Sequence, residues 1–464
     1  MDCTVKTKYN LLALSLALAL SATNSAWAHS PAATTTISDQ ASSEQTTQSL
    51  DQIIAIALEQ DASHSQLIAQ SQATLSGGQA KATLMDPTIK VGFGGIPVDS
   101  FSLDQDPMSN VSLGVMQKFD RGDTIELQST QALQQSNAIA EQANVRQQDV
   151  ITTVTALWLE LGYNQKAQQL LMKQQQWLKQ LVTNLDANYA LGLNDSQDVL
   201  AAQLKLSQLE QKLVSNQQMQ RKLLSQLSEW LGADWLQKSA HLSTTNQVAW
   251  PHLQQILAAS DTAQARYQLL MQHPAVKSLD SSVSSAQTQV SIAKEAYSPQ
   301  FGMEVMYAHR EANNMRGEPA PDMVSAYLTM DIPLFTGSKQ DKALESAQYQ
   351  VGAAKSQRDA WLARMEAQLS GLISDRDHIQ QRIDQYQDSL LTQAQAQSAA
   401  VERGYQNNSA SFGDIVTSSI TELSIQLELE RLITDLNLTN NQIANLVGIY
   451  ATESQANSHQ PLRR

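Results

Sequence analysis

The chain repeats itself at an almost constant spacing. Phe119 and Phe335 lie 216 positions apart (335 minus 119), and further pairs of identical residues keep that spacing. These pairs are Tyr189 with Tyr405, Asp198 with Asp414, and Gly232 with Gly448. Upstream, Pro87 and Pro299 lie only 212 positions apart (299 minus 87), so the copies differ in length between the prolines and the phenylalanines. This duplication predicts two similar halves whose length varies only in a loop region.

The segment between each proline and the following phenylalanine alternates between apolar and polar residues. In both copies the alternation runs through two stretches of about 9 to 11 residues, separated by a polar loop, which predicts strand hairpins at 88–119 and 300–335. The apolar positions are Ile89, Val91, Phe93, Val111, Leu113 and Val115 in the first copy, and Phe301, Met303, Val305, Tyr307, Val324, Ala326, Leu328, Met330 and Ile332 in the second. Strands of this length cross a bilayer when they are tilted.

Four strands in one chain are too few to close a membrane barrel, because the smallest such barrels have about 8. If the apolar faces meet lipid, several chains must each contribute four strands to one wall, and the protein is an obligate oligomer. A small soluble meander packed on helices is the alternative that the strand pattern alone leaves open.

Helical patterns of unusual length flank the hairpins. A first helix is predicted from Leu50 to Met85, and long helices follow the hairpins at 125–190 and 339–407. Returning helices are predicted at 195–231 and 411–447, each closed by a glycine. The long runs would extend about 95 to 100 Å, which a globular domain seldom needs. Antiparallel pairs of such helices can form the wall of a tube.

The ends of the chain and its charge limit the functional classes. Residues 1–28 resemble an export signal, with Lys6 and Lys8 before a short apolar stretch and Ala28 at a small-x-small cleavage site. The one cysteine, Cys3, precedes the apolar stretch, so the mature protein has no cysteine chemistry. The net charge of −14 excludes a general nucleic-acid binder.

These patterns divide the chain into five parts. They are the export signal (1–28), a disordered lead-in (29–46), repeat 1 (47–235), repeat 2 (236–450) and a flexible tail (451–464). No cofactor or metal site is predicted, and the chain has no His-Glu-x-x-His motif, phosphate loop or nucleophile elbow, so an enzyme is not expected.

An ordered set of short motifs resembles the TolC-type outer-membrane efflux channels over about residues 47 to 450. The motifs are Ile332-Pro333-Leu334-Phe335-Thr336-Gly337, Tyr189-x-x-Gly192 with Asp198-Val199-Leu200, Tyr405-x-x-Asn408 with Asp414-Ile415-Val416, and Leu231-Gly232 with Val447-Gly448. The resemblance implies a mixed α+β membrane protein: a homotrimer whose twelve strands, four per chain, form one outer-membrane β-barrel continued by an α-helical periplasmic tunnel. Three chains of four strands agree with the count from the hairpins.

The resemblance also implies partners and a gate. The partners are a periplasmic adaptor (membrane fusion) protein, an inner-membrane pump and outer-membrane lipid. Tyr405 and Asp198 match positions whose hydrogen bonds hold the tunnel shut, and Asp414 matches a position that lines the constriction. The turns that would contact the adaptor include Gly192, Asn194, Ser196, Asn408 and Ser411. Helix capping is the alternative role of Asp198 and Asp414.

The sequence leaves two classes of transported cargo possible. The second hairpin carries Met303, Met306, Met315, Met323 and Met330 with His309. Thioethers suit copper(I) or silver, and the chain resembles the heavy-metal branch of the family, so heavy-metal cations are one candidate cargo. Drugs or other small molecules are the rival cargo. An exported coiled-coil spacer or adaptor is the alternative from a different functional class.

Overall fold

The computed structural model describes residues 49–193, 195–232, 234–235, 242–260, 262–407 and 409–450. The expected export signal, lead-in and tail lie outside these residues, as do Asn194 and Asn408 of the expected adaptor-contacting turns. No helix within the described ranges is both long enough and apolar enough to cross a membrane.

The described residues are mostly helical. The helices are α1 (Leu50–Gln60), α2 (Ala62–Lys81), α3 (Thr124–Ala190), α4 (Ser196–Leu231), α5 (Pro251–Ala259), α6 (Ala263–Met271), α7 (Pro274–Glu295), α8 (Gln340–Gln385), α9 (Leu391–Gln406) and α10 (Phe412–Leu446). At 1.5 Å per residue, the 67 residues of α3 extend about 100 Å. The antiparallel partners of the two halves are α3 with α4 and α9 with α10.

The structure interrupts two helices that the sequence predicts as continuous. Asp61 ends α1 and caps α2, because its carboxylate accepts hydrogen bonds from the backbone N–H groups of Ser63 and His64 and from the guanidinium of Arg146. The second long helix contains one π-helical turn, Tyr386–Leu390, between α8 and α9. There the N–H of Leu391 donates to the carbonyl of Tyr386, five residues back. The helix therefore contains one extra residue at that point, compared with a regular α-helical turn.

The two hairpins form a single antiparallel sheet in the order β1-β2-β3-β4. Its strands are β1 (Thr88–Gly94), β2 (Asn110–Lys118), β3 (Gln300–His309) and β4 (Met323–Asp331). The two hairpins join through β2 and β3, with Val115 opposite Val305 and Gly114 opposite Met306. Strands β1 and β4 are the two edges, so the sheet of one chain is open.

The register sorts the side chains of the sheet into an apolar face and a polar face. One transverse row on the apolar face is Val91, Leu113, Tyr307 and Val324, and a neighbouring row on the polar face is Lys90, Gly114, Met306 and Ser325. The apolar side chains are exposed, and Ile89, Val91 and Phe93 are 67 to 69 % accessible. A broad exposed apolar face is unfavourable in water and indicates a contact surface.

A close backbone contact explains the one glycine of the first long helix. At Gly162 an added Cβ atom would lie 2.2 Å from the carbonyl carbon of Thr245. The segment around Thr245 is held there by neighbouring polar contacts, since the side chain of Asn246 donates to Glu430 and Thr434 of α10. The segment 242–250, which precedes α5 and is called the linker below, therefore lies directly against α3.

Candidate gate at the helix turns

The two helix turns belong to one packed unit. An apolar cluster joins the last turns of α3, the first turns of α4 and the first turns of α10. Its fully or nearly fully buried members near the turns include Leu185, Val199, Ala202, Phe412 and Ile415. Because a shared core holds both turns, a displacement of one turn is transmitted to the other.

The first turn has the geometry that its glycine predicts. Gly192 has a φ of 74°, in the left-handed region that glycine adopts without steric cost. The N–H of Gly192 donates to the carbonyl of Tyr189 at 2.9 Å, and the N–H of Leu193 donates to that of Asn188 at 2.9 Å. These bonds satisfy carbonyls at the end of α3 and fix the exit direction of the chain. Ser196 then begins α4.

The second turn is fixed by a capping box. The hydroxyl of Ser411 accepts from the backbone N–H of Asp414, and the carboxylate of Asp414 accepts from the N–H and the hydroxyl of Ser411. These hydrogen bonds lower the pKa of Asp414, chiefly through the Ser411 side chain. The capping role is therefore present, and it keeps an exposed, ionised carboxylate at the start of α10.

Asp198 occupies the same position in α4 that Asp414 occupies in α10, but its environment differs. It lies in the first turn of α4, half-buried, and its backbone N–H donates to the carbonyl of Asp195. Among the described residues its carboxylate has no hydrogen-bond partner, whereas Asp414 is held by Ser411. Asp198 is thus available for a partner on another surface.

Tyr405 lies at the end of α9, half-buried against the shared apolar cluster. Its copy in the first repeat, Tyr189, is 51 % exposed and is not part of that cluster. Within the described part of one chain, no hydrogen bond joins Tyr405 to Asp198. The single chain therefore does not itself form the latch that the resemblance implies.

Exposed leucines surround the first turn, a feature that the sequence reasoning did not identify. Leu191 and Leu193 are 74 % and 71 % exposed, and Leu200 is 65 % exposed. The second turn instead directs Phe412 into the core, with 6 % exposed. Apolar residues inside a turn, where polar residues are usual, were the signal in the sequence. Such a patch favours contact with another protein surface.

In the part of the chain that the structure describes, no three His, Cys, Asp or Glu side chains come together in a cluster that could hold a metal ion. His309 in particular lies on the apolar side of the sheet and pairs with Asp322, its Nδ1 atom 3.0 Å from a carboxylate oxygen. His309 and Met306 therefore lie on opposite faces of the sheet.

Comparison with known proteins gives a match to one family over part of the chain and a fold over most of it. Residues 265–449, within the second repeat, match the family model described as outer membrane efflux protein. The comparison with curated proteins gives no match.

Solved structures resemble the whole described architecture. The outer membrane protein VceC from Vibrio cholerae has a TM-score of 0.68 at 17 % identity, with 86 % of this chain and 96 % of that chain covered. The outer-membrane channel OprN has a TM-score of 0.70 at 14 % identity, with 86 % and 89 % covered. CusC has a TM-score of 0.69 at 11 % identity, with 86 % and 91 % covered. The mixed α+β fold expected from the sequence is confirmed.

Proposed function

We propose that the chain, whose residues 265–449 match the outer membrane efflux protein family, is the exit duct of a tripartite efflux system. The family consists of transport channels of the outer membrane, not enzymes, which confirms the expected location and the expected lack of catalysis. Members act as trimers with a periplasmic adaptor and an inner-membrane pump. For this chain, the trimer, the partners and the cargo are the proposal.

The observation that carries the proposal is the open four-stranded sheet. Its edges β1 and β4 have unpaired backbone groups, which must be satisfied within a bilayer. If β4 of each copy pairs with β1 of the next, three copies make a closed wall of twelve strands and leave no edge. The exposed apolar face then meets lipid and the polar face lines the lumen.

The helix turns supply the proposed gate. The carboxylate of Asp198 has no hydrogen-bond partner among the described residues of its own chain. The same is true of the hydroxyl of Tyr405. We propose that they form a hydrogen bond between copies, which is strong enough to favour closure and weak enough for an adaptor to break. Three copies of Asp414 around the axis would favour cations at the constriction.

The adaptor is proposed to bind at the same turns. Gly192, Asn194 and Ser196 in the first turn, with Asn408 and Ser411 in the second, are the expected contacts. The exposed leucines of the first turn add apolar surface beside them, and an apolar centre with a polar rim is usual in protein interfaces. Heavy-metal cations are the proposed cargo, and drugs or other small organic molecules are the rival cargo.

The test of the proposed function is the assembly and conductance of the mature protein. Outer-membrane fractions are extracted with detergent, the mass of the extracted species is determined, and the species is reconstituted in a planar bilayer. We expect a trimer that conducts ions. A species that stays monomeric or dimeric and does not conduct would refute the channel and favour the coiled-coil spacer.

A further inference from the structure

Three methionines lie on the polar face of the sheet, where water-facing residues are expected. They are Met116 on β2, Met306 on β3 and Met323 on β4, and we call them the methionine diagonal. Met116 and Met306 are half-buried, and Met323 is 48 % exposed. Apolar side chains on this face gain nothing from lipid, so their position calls for another explanation.

The register gives the diagonal its geometry. Met116 lies opposite Glu304, two residues before Met306 on β3. Met323 lies opposite Ala308, two residues after Met306. In the order Met116, Met306, Met323, each methionine therefore lies on the next strand and two residues further from the helices than the previous one. Diagonal neighbours on one face are about 7 to 8 Å apart, within reach of long side chains.

Small neighbours leave space around the central methionine. Gly114 lies directly opposite Met306, and an atom added at its Cβ position would be 3.4 Å from the Cβ and Cγ atoms of Met306. Ala308 and Ser325 are the next small residues on this face. Met side chains are flexible and polarizable, so adjacent sulfur atoms can turn toward one ion in this space.

The charge beside the diagonal is already compensated. Glu304 lies directly opposite Met116, and the ammonium group of Lys90 binds its carboxylate at 2.7 Å. A hard cation would have to displace this lysine to gain the carboxylate. Neutral thioethers instead favour soft ions such as copper(I) and silver(I) over hard ions. The local chemistry selects ions by softness, not by charge.

We propose that the methionine diagonal is a thioether track that binds soft monovalent metal ions on their way out. The track continues toward the outer loops, where Met108 is 69 % exposed and Met315 is fully exposed. This inference rests on the proposed function, because the diagonal lines a conduction path only when three sheets close into a wall. The ion-binding property itself is a feature of the folded sheet.

Silver binding to the purified, detergent-solubilised protein tests the inference. Silver nitrate is equilibrated by dialysis in chloride-free buffer, and bound silver per chain is measured by mass spectrometry. The test variant combines Met116→Leu, Met306→Leu and Met323→Leu, since Leu and Met have similar volumes. Removal of direct ligands should weaken binding by about tenfold or more.

A matched control removes three other thioethers. It combines Met303→Leu and Met330→Leu, which lie on the apolar face, with Met172→Leu, which is 46 % exposed on α3. We expect this control to bind silver as the unmodified protein does. Equal binding by the test variant and the unmodified protein, or an equal loss in the control, would overturn the inference.

Single-channel recording separates this inference from the proposed function. We expect silver to reduce the potassium conductance of the unmodified protein and of the control, but not of the test variant. If silver does not affect the conductance, the methionine diagonal does not line the conduction path. That result would overturn the inference about the thioether track but leave the proposed channel function intact. Loss of all conductance would refute the channel, and with it the track.

Discussion

The buried His273 should make the stability of the fold depend on pH. It caps the N-terminus of α7, and only 7 % of it is exposed. Its Nδ1 atom accepts a hydrogen bond from the backbone N–H of Ala275 at 3.1 Å, and the backbone of Asn445 lies close to the ring. Nδ1 must be unprotonated to accept this bond, so protonation of Nδ1 would remove the cap.

The sign of the effect follows from the direction of the shift. Burial lowers the pKa of His273 from 6.5 to about 4, with Lys277 adding repulsion and the Asn445 carbonyl acting in the opposite direction. The unfolded chain thus binds more protons than the folded chain between these two values. The stabilising contribution is complete above pH 6.5 and is lost as the pH falls toward 4.

The magnitude follows from the same two values. The difference between a pKa of 6.5 and one of about 4 corresponds to roughly 3 kcal/mol over the whole interval, because a pKa difference of one is worth 1.36 kcal/mol. Between pH 7.5 and pH 5 the contribution lost is about 2 kcal/mol per chain. This is a large fraction of the stability of a typical domain.

Denaturant unfolding at pH 7.5, 6 and 5, followed by circular dichroism, measures this contribution. In His273→Asn the new side chain can still cap α7 but does not titrate. We expect the unmodified protein to lose about 2 kcal/mol more than the variant between pH 7.5 and pH 5. The exposed His252, changed to Asn, is the control. Parallel pH profiles for the unmodified protein and His273→Asn would refute the reasoning.

Three further changes test other contacts. Tyr405→Phe should weaken the closed state by about 1.5 kcal/mol, roughly tenfold in the ratio of closed to open channels, and raise single-channel conductance, with Tyr189→Phe as the control; unchanged conductance in Tyr405→Phe would exclude it from the gate. Asp61→Ala should destabilise the fold by about 3 kcal/mol because it leaves its arginine partner unpaired and α2 uncapped, whereas Asp61→Asn should retain part of the cap; equal stability of the two variants would contradict this. Gly162→Ala should lower the melting temperature because of the linker backbone, whereas Gly371→Ala, with open space around it, should not; similar shifts would show that the linker contact is weak.

The fold could be read from the sequence because its signals are local and repeated. Alternation at positions such as Phe301 and Val305 predicts strands, and a glycine such as Gly192 predicts the end of a helix. The duplication strengthens both predictions, since each pattern occurs twice. The four strands per chain, and hence the count of twelve for three chains, required no tertiary information.

The parts that sequence did not predict depend on residues far apart in the chain. The break at Asp61 depends on Arg146, 85 residues later. The position of Met116 beside Met306 depends on pairing between two hairpins, which no turn specifies. The proposed gate is a third case, because no hydrogen bond joins Asp198 to Tyr405 in the described part of one chain.

The π-helical turn at Tyr386–Leu390 makes the two helix pairs mechanically unequal. In the first repeat, α3 runs without interruption to its turn, whereas α9 extends only 16 residues, about 24 Å, beyond the π-helical turn. A bend of about 10° at that turn would displace the far end of α9 by roughly 4 Å. We therefore expect the second helix pair, which carries Tyr405, to provide the moving side of the aperture and the first pair the stationary side.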